Sequence, residues 1–166
     1  MKGLFRARPA PADVQPTQLN LRLSDLPKGF IDFKQEMQAS GQVHITCSFV
    51  AFKRTAPKAV QLITCTVSLY RTAEAAEAAF MRNVLAPTGP KAGATHLARF
   101  PAVGVQRAAW TLASITPKAE DTWNLAEFLR DRYTVVITVE GASDAWARPE
   151  LGRLARLVDG RIKKQR

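Results

Sequence analysis

The sequence predicts an α+β domain, an antiparallel sheet of about five to six strands with two amphipathic helices packed on one face. Three observations carry that expectation. Residues 43–52 and 60–70 alternate in polarity and are rich in β-branched side chains, with Lys53 to Lys58 joining them. Residues 123–129 and 133–141 repeat the pattern across Arg130-Asp131. Each hairpin is followed by a stretch in which the apolar period changes from two to 3.6. Read coarsely, each half is a lead strand, a hairpin and a helix, a ββ(β)α unit stated twice, as an internal duplication would leave it.

Taken in order, residues 1–17 contain Pro9, Pro11 and Pro16 and no periodic apolar signal. They read as a flexible, proline- and alanine-containing lead-in. Residues 18–163 form the single domain, and 164–166 a basic tail. The alternating leucines of 19–26 make a short strand or a turn of helix. Pro27 and Gly29 then force a turn, and Phe30, Ile31 and Phe33 open a strand.

The first hairpin registers from its own pattern when the strands are folded about residue 56. Val43 then faces Leu69, Ile45 faces Val67, Cys47 faces Cys65 and Phe49 faces Ile63, an apolar face. The other face holds His44, Thr46 and Ser48 against Ser68, Thr66 and Thr64. This register sets the two cysteines of the chain opposite each other, where a non-hydrogen-bonded pair brings Cα atoms to about 4.5 Å. That spacing admits a disulfide, which would stabilise by about 3 kcal/mol in the chain-entropy model and point to an oxidising compartment. The other reading is two small buried thiols.

Thr72 is the expected N-cap of the first long helix, with Glu74 favourable in its first turn. Ala76, Ala79, Phe80 and Val84 make its apolar stripe, and Pro87 ends it. Residues 102–114 read as a strand. In the second hairpin Tyr133, Val135, Ile137 and Val139 form the expected core face. The last helix follows Pro149, with Leu151, Leu154, Ala155, Val158 and Ile162 on one stripe.

Hydrophobic residues make up 46% of the 166 residues, which excludes global disorder. No run reaches the length of a membrane span. The start, Met1 to Arg6, is charged like the head of a signal peptide but has no apolar segment behind it. Net charge is +10, and the ends hold most of it. Lys2, Arg6 and Arg8 against Asp13 give +2, and the unopposed Arg161, Lys163, Lys164 and Arg166 give +4, leaving +4 for residues 18–159. A nearly balanced body weakens the case for a nucleic-acid groove. The cations expected to meet an anion or a partner are Arg153, Arg156, Arg161, Lys163, Lys164 and Arg166.

Reactive constellations are absent from the sequence pattern. There is no Gly-rich phosphate loop, no His-Glu-x-x-His and no Gly-x-Ser-x-Gly elbow. His44 and His96 have no third group in the sequence that would orient a nucleophile. Two cysteines alone cannot make a zinc site, and His44 and His96 do not complete one. No catalytic residue, metal or cofactor is assigned.

Several short stretches do resemble known domains: Asp25-Leu-Pro-Lys-Gly-Phe30, the Ala-Glu-Ala-Ala-Phe helix at 76–80, Val103-Gly104, Phe128-Leu-Arg-Asp131 and the Val-Val-Ile run after it. Together they are similar to small extracytoplasmic sensor-type domains and lipoproteins of bacteria, including external domains of actinobacterial Ser/Thr kinases. Val105 stands where those domains often carry an acidic residue. The resemblance implies a non-enzymatic, extracytoplasmic (periplasmic or cell-surface) domain that binds a ligand or a protein partner. Next in rank is an accessory subunit of a larger assembly, using basic arms that could also touch an anionic membrane surface. Nucleic-acid binding ranks third.

Overall fold

The computed structural model describes residues 14–39, 44–55, 60–85, 94–97, 99–113, 122–142 and 144–165. Helix α1 (Pro16–Leu19) and a 3-10 turn (Leu23–Asp25) precede strands β1 (Ile31–Gln38), β2 (His44–Thr55) and β3 (Val60–Tyr70). Helix α2 (Ala73–Leu85) leads to β4 (Thr95–His96), β5 (Gln106–Ala113), β6 (Thr122–Arg130) and β7 (Tyr133–Ala142). Helix α3 (Asp144–Lys163) follows. The strands form one antiparallel sheet in the order β1-β2-β3-β7-β6-β5-β4, β4 being a two-residue edge. The α+β class and the antiparallel sheet are as the sequence predicts.

Local chemistry explains the elements. The Thr72 hydroxyl accepts the Ala75 N–H at 3.1 Å, the expected N-cap of α2. Asp131 turns the β6–β7 hairpin with φ 54°, a left-handed conformation that aspartate tolerates better than most residues. Gly29 supplies φ 95° in the turn before β1. Helix α3 begins at Asp144, ahead of Pro149, which lies inside it. The proline removes one backbone donor. Packing sets the earlier start: Ala147 is buried, and the Trp146 ring stacks on Phe30, with centroids 6.4 Å apart.

The larger core lies between the sheet and α3. Leu151, Leu154, Ala155, Val158 and Ile162 are all buried, against Val135, Ile137 and Val139 of β7 and Phe128 of β6. Phe52, Ile63, Cys65, Val67 and Leu69 extend this layer, and Leu19 and Leu21 cover it beyond the helix. Asn20, buried among them, donates to the Ser48 carbonyl at 2.8 Å and to its hydroxyl at 3.0 Å. That satisfies the Ser48 side chain, which β2 turns into the core.

The two long helices do not share a face, contrary to the sequence-based expectation. Ala76, Ala79 and Phe80 of α2 pack on Tyr70 and Leu129, and Val84 lies toward Ala108, Leu125 and Val136. Leu129 and Phe128 are neighbours on β6 and point to opposite sides of the sheet. The sheet is therefore sandwiched, with α3 on one side and α2 on the other. The physical sign is in β6, where residues 124–130 are buried without alternation, as in a strand covered on both faces. The strand order is symmetric about the β3–β7 seam. A two-fold normal to the sheet would nevertheless put both helices on one side, so the placement of α2 does not support a duplication.

The register of the first hairpin also needs correction. Cys47 pairs with Ser68, and Cys65 pairs with Val50, three residues away from the predicted alignment. An odd shift turns one strand over. Cys65 faces α3 in the core and Cys47 faces the other side, so both are free thiols. The reason is the run Phe49-Val50-Ala51-Phe52, which is apolar in both phases and leaves the period ambiguous. β2 also runs further toward the connection, as far as Thr55.

Burial pushes the Cys65 thiol up to about 12. Cys47 is half-buried and accepts a hydrogen bond from the Ser68 hydroxyl at 3.3 Å. Iodoacetamide added to native, unreduced protein should therefore modify Cys47 alone, and both cysteines once denaturant is present. Intact mass reads the result; two protected thiols in denaturant would restore the disulfide.

Candidate functional site

Three features compete for the role of a site, and two of them hold the fold together. The first is buried. Arg130, at the end of β6, makes a bidentate pair with Asp159 of α3, through Nε to Oδ1 and through Nη2 to Oδ2 at 3.2 Å. Its Nη2 also donates to the Gly104 carbonyl at 3.1 Å, and the Gly104 N–H donates to Asp159 Oδ1 at 3.1 Å. Lys163 Nζ lies 2.9 Å from Asp159 Oδ2. Burial acts to raise the Asp159 pKa; the hydrogen bonds from Arg130, Lys163 and the Gly104 N–H outweigh it and hold the carboxyl below its usual range. Every lone pair of the carboxylate is turned to a structural partner, which leaves no position for a reacting atom.

The second feature ties α3 to the N-terminal segment. Arg161 donates to the Asn20 carbonyl at 2.6 Å and to Asp25 Oδ1 at 2.7 Å. Arg153 pairs with Glu150 at 2.8 Å and donates to the Asp25 carbonyl at 2.7 Å. Of the six cations expected to meet an anion, Arg153, Arg161 and Lys163 thus have acidic partners within the chain. Arg156 and Lys164 are exposed, and Arg166 lies outside the described residues.

The third feature is open. A cleft of about 390 Å³ lies between the N-terminal segment and the β1–β2 end of the sheet. Leu21, Arg22, Leu23, Gln35, Met37 and Ser48 line it, with Asp32 and Glu36 also present. Arg22 and Asp32 give it one charge of each sign, while the Glu36 carboxylate is paired with Lys34 at 2.8 Å. Leu23 and Met37 at its rim are 39% and 66% exposed. A smaller concavity of about 260 Å³ sits at the opposite edge, by His96, Phe100 and Arg107. Among the described residues no three His, Cys, Asp or Glu side chains group as a metal site, and no helix is long and apolar enough to cross a membrane.

Sequence reasoning did not find the cleft. It is made by Leu21 to Leu23 standing over β1 and β2, a juxtaposition that no local pattern records. The available signal was Met37 and Gln35 in a strand that lacks alternation.

Asp159→Asn should destabilise the fold by about 3 kcal/mol at neutral pH, because it leaves the Arg130 charge buried without its counter-ion. A carboxyl with a depressed folded pKa contributes stability that is present above the ordinary aspartate value and lost as pH falls through the folded value. The gap between wild type and variant, measured by urea unfolding, should close in acid; a constant gap would mean that the ionised carboxylate is not what stabilises.

Compared with known proteins, the sequence matches no protein-family model and no curated protein.

Proposed function

We propose that the chain is a non-enzymatic binding domain whose contact surface is the cleft beside β1. The observation that carries this reading is the combination of open shape and mixed lining at Leu21, Leu23, Gln35 and Met37. Ligand sites are concave and largely apolar, with a few polar groups that fix orientation. With Asp32 balancing Arg22, the lining favours a neutral partner, such as a short peptide segment with apolar side chains, over a phosphate. The ionic groups paired elsewhere, Arg130–Asp159, Arg161–Asp25 and Arg153–Glu150, are committed to holding helices in place. This supports binding without turnover. An extracytoplasmic, sensor-like setting rests on the sequence resemblance alone, since the free cysteines on opposite sheet faces no longer argue for it.

Titration of the ¹⁵N-labelled protein with short apolar peptides of low net charge tests the reading. Shift changes should concentrate at Leu21 to Leu23, Gln35, Met37 and Ser48, and Leu23→Asp should abolish them without lowering Tm. Shifts produced instead by a short oligonucleotide, steeply weakened by salt, would move the function to nucleic-acid binding.

A further inference from the structure

Strand β1 ends the sheet, and among the described residues no strand pairs with its outer side. All eight of its residues are exposed. Ile31, Phe33 and Met37 are 58%, 57% and 66% exposed, although they are large and apolar. An edge of this length presents a row of backbone donors and acceptors to another strand. Natural edges are protected by charge and by bulges. β1 has both: Lys34 and Glu36, and a bulge between Asp32 and Lys34. The arrangement of those charges is what selects a partner.

We infer that β1 pairs antiparallel with β1 of a second copy of this chain, with Gln35 on the two-fold axis. The reasoning begins with symmetry. A two-fold that relates antiparallel edge strands runs normal to the sheet, so each face of one copy continues the same face of the other. Residues of like parity must then stand opposite each other. Lys34 pairs with Ala51 and Glu36 with Phe49, so both charges lie on the α2 side of the sheet. A register centred on Lys34 sets two ammonium groups face to face, and one centred on Glu36 sets two carboxylates face to face. The register centred on Gln35 sets Lys34 opposite the partner's Glu36 and Glu36 opposite the partner's Lys34. Opposite charges directly across strands stabilise, and like charges destabilise.

The same ion pair exists within one strand, where Lys34 Nζ lies 2.8 Å from Glu36 Oε1 with both side chains about half exposed. The dimer exchanges two exposed intrastrand contacts, one from each copy, for two cross-strand ones. It also brings Phe33 and Met37 to the ends of the paired segment. On the α3 side, Gln35 meets the partner's Gln35, and because Gln35 and Met37 line the cleft, the two clefts adjoin across the axis. This inference does not depend on the peptide-binding reading: it concerns Lys34, Glu36 and the β1 backbone, and Leu23→Asp leaves it untouched.

Complementary charge reversal tests it by sedimentation equilibrium. Wild type should dimerise. Lys34→Glu places glutamates opposite each other and Glu36→Lys places lysines opposite each other, so each variant alone should dissociate, with Kd raised by about tenfold. Mixed one to one, the two variants should form a heterodimer as tight as wild type, because each strand then carries one sign of charge. Both changes are on exposed side chains, so circular dichroism should not change, nor should Tm measured below the wild-type dimer Kd. A wild type that stays monomeric at its solubility limit would overturn the inference. So would variants that dimerise as wild type does, or a mixture no tighter than its components.

Discussion

The ion pair of Arg130 and Asp159 joins three parts of the chain that are far apart in sequence. It ties the end of β6, the segment entering β5 and the last turns of α3. Gly104 sits at its centre because nothing larger fits. Its φ is 63°, and a Cβ there would lie 2.5 Å from the Leu129 carbonyl oxygen and 2.9 Å from that of Gln106. With its N–H on the carboxylate and its carbonyl on the guanidinium, the glycine closes the network from both ends. Two charges taken out of water are tolerated only when each remaining donor and acceptor is satisfied. Here the backbone supplies what the pair lacks. The axis of α3, and with it the apolar stripe that covers the sheet, follows from that fixed point.

The fold also accounts for the stretches on which the expectation of a sensor-type domain rests. Asp25 receives Arg161 and the Arg22 N–H, Gly29 turns the chain, and Phe30 stacks on Trp146. Val103 is buried beside Gly104, and Arg130-Asp131 combines the ion pair with the hairpin turn. Each stretch is a fastening of the fold. A likeness built on such positions speaks to how a chain of this kind is held, and its bearing on ligand or partner is indirect.

Much of the fold was legible because the chemistry was local. The stripes of α2 and α3, the Thr72 cap, the turn at Asp131 and the core face of β7 all come from neighbours within a few residues. What was not legible needed information from across the sheet. The face of β2 that turns inward depends on Asn20 reaching Ser48, from a segment whose own pattern does not mark it. The side taken by α2 depends on β6 being covered twice, and the adjacent apolar pairs Leu125-Ala126 and Phe128-Leu129, which break alternation, were the sign. The cleft was hidden for the same reason, since Leu23 and Met37 acquire meaning only when they stand side by side.

Among the described residues, the two halves of the sheet meet only along β3 and β7. Thr64 and Thr138, whose hydroxyls lie 2.7 Å apart on that seam, are 74 residues apart in the chain. Each hairpin can close on its own connection, but the seam requires a long loop to be closed before any of its contacts form. The entropy of that closure must be met at the folding barrier, so the molecule belongs among the slower-folding small domains, on the scale of milliseconds to seconds. While the halves wait to join, β3 and β7 are both bare edges with strongly β-forming sequences. They are the strands that would exchange between chains if the wait were prolonged.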